Sequence, residues 1–234
     1  MSDVTQTADW PVDTVVEQPA LVQSIKVPLS IYEGSARVRN SRSKRALDIV
    51  GAGSGLLFLA PLLLLIALIT MAENRGSVLF RQRRTGLNGR PFLIYKFRTM
   101  RVMEDGALVT PATRQDLRVT RVGRILRRSS FDELPQLLNV LKGEMSLVGP
   151  RPHAVAHDEY YGQTVPSYIL RFQVTPGITG LAQVSGYRGE VRDIQHMEAR
   201  VAKDLEYIQG WSLARDVRIL ARTAVCGAFH RMAY

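Results

Sequence analysis

Two adjacent carboxylates, Asp132 and Glu133, stand in the run Ser129-Ser-Phe-Asp-Glu-Leu-Pro-Gln136. An arginine, Arg151, is fixed between two prolines in Met145-Ser-Leu-Val-Gly-Pro-Arg-Pro152. Upstream lies a dense basic series: Arg114, Arg118, Arg121, Arg124, Arg127 and Arg128. An ionised aspartate can act as a nucleophile and form an aspartyl-phosphate. Arginines match phosphate oxygens by charge and by the fork geometry of the guanidinium. One acidic pair facing so many arginines points to a phosphorylated substrate.

Ser130-x-x-Glu133 fits the capping-box pattern, which predicts a helix starting at Ser130. Pro135 moves that start to about Asp132, because proline is tolerated only in a first turn. Either start sets Asp132 beside free backbone N–H groups and the positive end of a helix dipole. Such a setting keeps the carboxylate ionised and draws phosphate oxygens to the same spot. Glu133 could bind a divalent ion or accept a proton. Neighbours on a regular helix do not share a face, so convergence of both carboxylates requires an irregular first turn. Asp, Glu, Ser and Pro are also ordinary helix-start residues, and taken alone they fit capping as well as catalysis.

The longer run Leu126-Arg-Arg-Ser-Ser-Phe-Asp-Glu-Leu-Pro-Gln-Leu-Leu-Asn-Val-Leu-Lys-Gly-Glu-Met-Ser-Leu-Val-Gly-Pro-Arg-Pro152 closely resembles the bacterial sugar transferase family. These are the monotopic polyprenyl-phosphate sugar-1-phosphate transferases. Phe80-Arg-Gln-x-Arg-x-Gly86, Lys96-Phe-Arg-Thr-Met100, Pro176-Gly-Ile-Thr-Gly-x-Ala-Gln183 and Trp211-Ser-Leu213 match in the family's order, from about Lys44 to the C-terminus. A set of this size is far more specific than any single short motif. The runs Arg151-Pro-His-Ala-Val-Ala-His-Asp-Glu-Tyr-Tyr161 and Tyr187-Arg-Gly-Glu190 resemble the hexose-1-phosphate branch, which uses UDP-glucose or UDP-galactose.

The resemblance implies an enzyme that moves hexose-1-phosphate from a UDP-sugar to undecaprenyl phosphate and releases UMP, at the start of exopolysaccharide synthesis. It implies that Asp132 attacks the β-phosphate and becomes a sugar-phosphoryl-aspartate. Arg127, five residues earlier, and Arg151 would stabilise charge on the transferring group. Glu133, with Asp132, would hold Mg²⁺ (or Mn²⁺) or handle a proton. Lys96 and Arg98 are candidates for phosphate contact, Gln183 for the nucleotide and Arg188 for the diphosphate. His153 and His157 would share one face of a helix, but neither a glutamate in the zincin position nor a third ligand accompanies them, so zinc is not expected.

The elements that must position these groups begin with a membrane segment. Residues 49–72 carry no charge and exceed the roughly 20 residues that span a bilayer core. Pro61 sits at the centre and should bend the helix. Arg42, Lys44 and Arg45 precede the segment, and Arg75, Arg81, Arg83 and Arg84 follow it. The positive-inside rule keeps both flanks in the cytoplasm. A re-entrant helix, bent at Pro61, satisfies both facts and is what the resemblance implies; Ala60 stands where the family usually has serine. Asp48 at the entry is expected to pair with Lys44 or Arg45. Gly51-x-Gly53-x-Gly55 lies inside this helix and reads as close helix packing, not a dinucleotide fingerprint.

Residues 78–83 and 91–96 are short β-prone runs, and Asn88-Gly89 between them is a hairpin signal. Residues 104–113 read as a loop over the site. Residues 114–128 read as a basic amphipathic helix on anionic lipid. Pro176-Gly-Ile-Thr-Gly180 reads as a turn whose glycines let backbone approach a ligand. Residues 198–208 and 213–232 read as helices with one apolar side. Asp204 and Asp216 fit either a supporting role at the site or ordinary pairing and capping.

The expected class is therefore α+β, mainly helical and monotopic. It has a re-entrant kinked N-terminal helix, a small β-hairpin and amphipathic interfacial helices. Residues 1–41 read as a mobile arm, 42–74 as the membrane helix and 75–234 as a cytoplasmic catalytic domain. The 234 residues carry a net charge of +10 and one cysteine, Cys226, which excludes an intramolecular disulfide and fits a reducing cytoplasm. Expected partners are a UDP-hexose, a polyprenyl phosphate and the cytoplasmic leaflet of the inner membrane, with a second copy of the chain as a further candidate. Two rival readings remain at this stage. One is a non-catalytic basic membrane scaffold; the other is a nucleic-acid binder, against which the long apolar helix and the few aromatic platforms speak.

Overall fold

The computed structural model describes residues 27–74, 77–101, 116–189, 191 and 193–229. The apolar run folds as one helix, α2 (Arg42–Asn74), which continues through Pro61. Among the described residues it is the one helix long and apolar enough to cross a membrane. Its length is roughly 50 Å at 1.5 Å per residue. One side packs on the rest of the chain through Ala52, Leu56 and Ile66. The other presents Val50, Leu57, Phe58, Leu64 and Leu65 to the outside. Steps of seven and eight residues place these on one stripe.

Both ends of α2 dock on the same body. Near the start, Lys44 Nζ donates to Asp216 Oδ2 (2.8 Å), Val148 O (2.9 Å) and Tyr207 Oη (3.1 Å). Asp48 takes hydrogen bonds from Ser146 Oγ (2.9 Å) and Leu147 N (2.8 Å), so it anchors a strand; of the two expected cations, Lys44 acts on it through its charge while Arg45 turns elsewhere. Arg45 caps the carbonyls of Val140 and Leu141. At the far end, Glu73 Oε1 accepts from Val122 N (3.2 Å). Of the glycine trio, a Cβ on Gly51 would press on Leu147 while Gly53 faces open space.

Residues 29–40 correct the reading of an arm. They form α1 (Leu29–Asn40), which buries Ile31, Gly34, Ser35 and Val38. These meet Tyr207 and Ile208 of α7 (Ile194–Gln209). A Cβ on Gly34 would collide with the Ile208 carbonyl. Small residues make up half of this buried face, which is why no apolar period was legible. Residues 1–26 of the expected arm lie outside the described residues.

The hairpin forms as read: β1 (Leu79–Thr85) pairs antiparallel with β2 (Pro91–Phe97). Asn88 (φ 55°) and Gly89 (φ 77°) both take the left-handed backbone that a tight hairpin turn requires. The outer edge of β2 is closed by a side chain. Asn139 Oδ1 accepts from Tyr95 N (3.0 Å) and Asn139 Nδ2 donates to Leu93 O (2.7 Å). Asn139 belongs to α4 (Leu137–Lys142), so α4 lies along that edge.

The basic helix is shorter than expected. α3 (Arg121–Ser129) starts at Thr120, whose hydroxyl accepts from Gly123 N (2.9 Å), after a turn at 117–118. Residues 114–115 and the expected loop 104–113 lie outside the described residues. β3 (Ser146–Val148) and β4 (Gly177–Thr179) form a parallel pair. A Cβ on Gly177 would overlap the Gly149 backbone, so this glycine serves contact between two strands and not approach of a ligand. The remainder is helical: α5 (Val155–Thr164), a 3-10 segment Tyr168–Gln173, α6 (Leu181–Val184), α7 and α8 (Leu213–Phe229).

Candidate active site

Asp132 and Glu133 lie in a 3-10 segment, Phe131–Gln136, between α3 and α4. Ser130 ends α3 in the left-handed conformation (φ 60°, ψ 18°). The capping box does not form. The Ser130 side chain caps no backbone N–H, and its hydroxyl instead accepts from Arg188 Nη2. This tight turn supplies the irregular start that convergence requires, since both carboxylates feel Lys96 and Arg151.

Glu133 is fully engaged. Lys96 Nζ donates to Oε1 (2.8 Å), Arg151 Nη1 to Oε2 (3.0 Å) and Arg151 Nη2 to Oε1. Burial alone would raise its pKa, but Arg151 and Lys96 outweigh burial and hold it well below the usual carboxylate range. Asp132 has the opposite surroundings. It is 9% exposed, and no hydrogen bond to its carboxylate is found among the described residues. Burial, then the neighbouring Glu133 charge, pushes it up to about 6, against the pull of Lys96, Arg127 and Arg151. Loss of water outweighs the cations, so ionisation is harder here than at an open helix N-terminus, and Asp132 still ionises below neutral pH.

Arg151 is fixed from behind. Arg171 Nη2 donates to the Arg151 carbonyl (2.6 Å) and to Asp204 Oδ2 (2.8 Å), and both Arg171 and Asp204 are buried. His153 Nδ1 contacts Tyr168 Oη (2.6 Å), and Tyr168 donates to Asp158 Oδ1 (2.5 Å). Arg200 Nη1 faces His153 Nε2 (3.3 Å). Burial, then Arg171 and Arg200, keeps His153 neutral. Arg171 Nη1 also stands 2.9 Å from Nδ1, so an arginine faces each ring nitrogen. His153 precedes α5, so it never shares a helical face with His157.

Sequence reasoning named Asp204 for a supporting or paired role but missed Arg171, Arg200 and Tyr168. A signal existed for Asp204: it falls on the stripe of Met197, Val201 and Ile208, where a charge must be paired. Nothing in the sequence named Arg171, 33 residues away, as the partner.

The remaining site residues divide. Lys96, Arg127 and Arg151 gather at Asp132 and Glu133, and Arg188 reaches Ser130, two positions away. Arg98 turns to its own backbone, donating to Met100 O (3.1 Å) and Arg101 O (2.6 Å), so its phosphate role gains no support here. Gln183 donates to Ile178 O (3.1 Å) and leaves Oε1 buried without a partner; no contact joins it to the carboxylate pair. No group of three or more His, Cys, Asp or Glu able to hold a metal occurs among the described residues.

A family model described as bacterial sugar transferase matches residues 39–230. The chain belongs to the bacterial sugar transferase family. This sugar transferase is 57% identical over 187 residues to the UDP-glucose:undecaprenyl-phosphate glucose-1-phosphate transferase of Caulobacter vibrioides, over 80% of this chain and 70% of that protein. The protein of the same name in Escherichia coli is 52% identical over 208 residues, covering 89% of this chain but 44% of the relative. The exopolysaccharide production protein PSS of Rhizobium leguminosarum is 47% identical over 186 residues, covering 78% and 93%. The chain therefore spans less than half the length of the Escherichia coli relative and nearly all of the Rhizobium one.

Proposed function

We propose that this protein transfers hexose-1-phosphate from UDP-glucose or UDP-galactose to undecaprenyl phosphate, releasing UMP and starting an exopolysaccharide chain. The names of the relatives support the reaction class and favour glucose as the sugar. The observation that carries it is the poised carboxylate: Asp132 takes no hydrogen bond found among the described residues and feels the charges of Lys96, Arg127 and Arg151.

A carboxylate so placed suits attack on phosphorus. Asp132 Oδ forms a bond to the donor's β-phosphorus, and the bond from that phosphorus to the UMP oxygen breaks. The sugar phosphate then rides on Asp132. An oxygen of the lipid phosphate attacks the same phosphorus and returns Asp132 as a free carboxylate. Arg127 and Arg151 neutralise the transferring oxygens. Glu133 holds Arg151 and Lys96 in place, and Arg188 lies where it can meet the diphosphate.

Mg²⁺ would offset diphosphate charge when bound. Of the expected pair only Asp132 fits a metal that arrives with its substrate: its oxygens are unbonded, whereas both Glu133 oxygens are taken by Lys96 and Arg151, and Mg²⁺ commonly takes one or two carboxylates plus phosphates. The membrane part is residues 42–74, re-entrant at Pro61 in the cytoplasmic leaflet of the inner membrane, and residues 75–234 are the catalytic part. The docking of both ends of α2 on one body supports re-entry. A helix parked in one leaflet brings a lipid and a water-soluble donor to one site.

The test is incubation with undecaprenyl phosphate and a panel of UDP-sugars, with and without EDTA. UMP release with UDP-glucose, and a hexose phosphate mass on the peptide holding Asp132 when the lipid is left out, are expected. No UMP from any nucleotide sugar would overturn the reaction; turnover without the mass adduct would overturn the covalent step.

A further inference from the structure

The hairpin has a second face, turned away from Glu133. There Leu79, Arg81 and Tyr95 of the hairpin and Leu138, Leu141 and Lys142 of α4 line an open groove of about 470 Å³. Successive residues of a strand point to opposite sides. Tyr95 therefore faces the groove while Lys96 reaches Glu133 on the other side.

The groove is apolar along its length and cationic at its rim. Leu138 and Leu141 are exposed. Lys142 Nζ donates to Tyr95 Oη (2.7 Å) and stands 4.6 Å from the ring centre; the Arg81 guanidinium stands 5.7 Å from the same ring. The carboxylate that Lys142 feels, Glu144, is itself taken by Asn139 Nδ2 (2.7 Å). Neither Arg81 nor Lys142 forms an ion pair among the described residues.

Both walls are tied to the apolar helix. Leu79 packs on the cluster of Ile66, Leu62 and Leu63 in α2. The buried side of α4, Leu137 and Val140, packs on Ala52 and Leu56 of the same helix. The groove thus opens beside α2. Arginine, lysine and tyrosine over a leucine floor is the arrangement that suits a membrane–water boundary.

We propose that this groove holds one anionic phospholipid of the bilayer, its phosphate between Arg81 and Lys142 and an acyl chain along Leu79, Leu138 and Leu141. The occupant is a resident lipid and not the acceptor, because Asp132 and Glu133 lie across the hairpin. The inference rests on α2 being embedded in a membrane. The lipid would fix the depth at which the catalytic face meets the bilayer.

The test uses the full chain in neutral detergent, titrated with phosphatidylglycerol or with phosphatidylcholine of the same chains, bound lipid being counted by native mass spectrometry. One phosphatidylglycerol should be retained with a preference of about tenfold or more, the scale of two interfacial cations. Arg81→Gln with Lys142→Gln should abolish the preference. Arg81→Lys with Lys142→Arg, which keeps both charges, should retain it. So should Arg121→Gln with Arg124→Gln, which removes two exposed cations of α3. The KM for undecaprenyl phosphate should not change in the glutamine pair. An unchanged preference in that pair overturns the proposal. So does a KM that rises in step with lost retention, which would make the groove the acceptor's own. If no donor is turned over at all, the lipid count still stands, and the transfer reading is what fails.

Discussion

Asp132 and Glu133 are chain neighbours whose carboxyls are driven in opposite directions. Glu133 accepts Lys96 and both ends of the Arg151 fork, while Asp132, beside it, accepts no hydrogen bond found among the described residues. The same two cations, Lys96 and Arg151, thus fix one acid as an anchor and leave the other free to react. Each consequence of that division can be measured.

The first is a pH profile. Attack requires ionised Asp132, so kcat/KM should fall as pH drops through about 6. Stability has the opposite sign. The folded pKa lies above the ordinary 3.8, so the folded state binds more protons than the unfolded between those values. Stability therefore declines as pH rises through about 6, and ionised Asp132 strains the fold at pH 7. Asp132→Asn should abolish UMP release and raise stability at pH 7.5 by up to about 3 kcal/mol, from roughly two units at 1.36 kcal/mol each. Near pH 4 the gain should vanish. Thermal melts at the two pH values check this; an Asn variant less stable at pH 7.5 would contradict the burial argument.

The second concerns the fork. Arg151→Ala removes two charge-assisted bonds from Glu133 and one cation from beside Asp132. Turnover should drop about 10²- to 10³-fold, the range for losing one stabilising donor. Arg151→Lys should not restore it, because lysine supplies charge without a planar pair of donors. Steady-state kinetics of the two variants decide the matter, and full rescue by lysine would reduce Arg151 to a point charge.

Local signals carried the sequence reading a long way. Asn88-Gly89 set the hairpin, and the charge-free run set α2. Asp132, Glu133, Arg127 and Arg151 were named together by the resemblance, and they do gather in space. What failed was decided by long-range partners. The Ser130 capping box lost to a left-handed turn whose hydroxyl is taken by Arg188, 58 residues on. The Asp132 pKa is set by burial that no local window contains. The pairs Lys44–Asp216 and Arg171–Asp204 each join elements far apart in the chain.

The third prediction follows from that last pair. Arg171 and Asp204 are each 2% exposed at the side chain, and Arg171 also holds the Arg151 carbonyl. Removing one partner strands a buried charge at a cost of about 3–5 kcal/mol. Arg171→Met and Asp204→Leu alone should each melt far below the parent chain. The double variant should be less destabilised than the sum of the two, since no charge is left unpaired. It should still have weakened turnover, because the Arg151 backbone has lost its donor. Melting curves with UMP release on the surviving protein test both halves; additive melts would show that the pair is not coupled.

The last concerns topology. Lys44 is buried against Asp216 and Val148, and Glu73 caps Val122, so the two ends of α2 are held by one body. A helix crossing the bilayer would put its ends in water on opposite sides of a hydrocarbon layer about 30 Å thick, and the body that holds both ends would have to cross with it. Single cysteines at the exposed positions Arg42 and Glu73, in a chain with Cys226→Ser, should therefore behave alike toward a membrane-impermeant maleimide. Both should react in inverted inner-membrane vesicles and neither in intact spheroplasts. A cysteine at Phe58, 85% exposed on the apolar stripe, should be shielded in both preparations. If the Glu73 position were labelled from the periplasm, α2 would be a span, and the Glu73–Val122 contact could not exist in the membrane-bound protein.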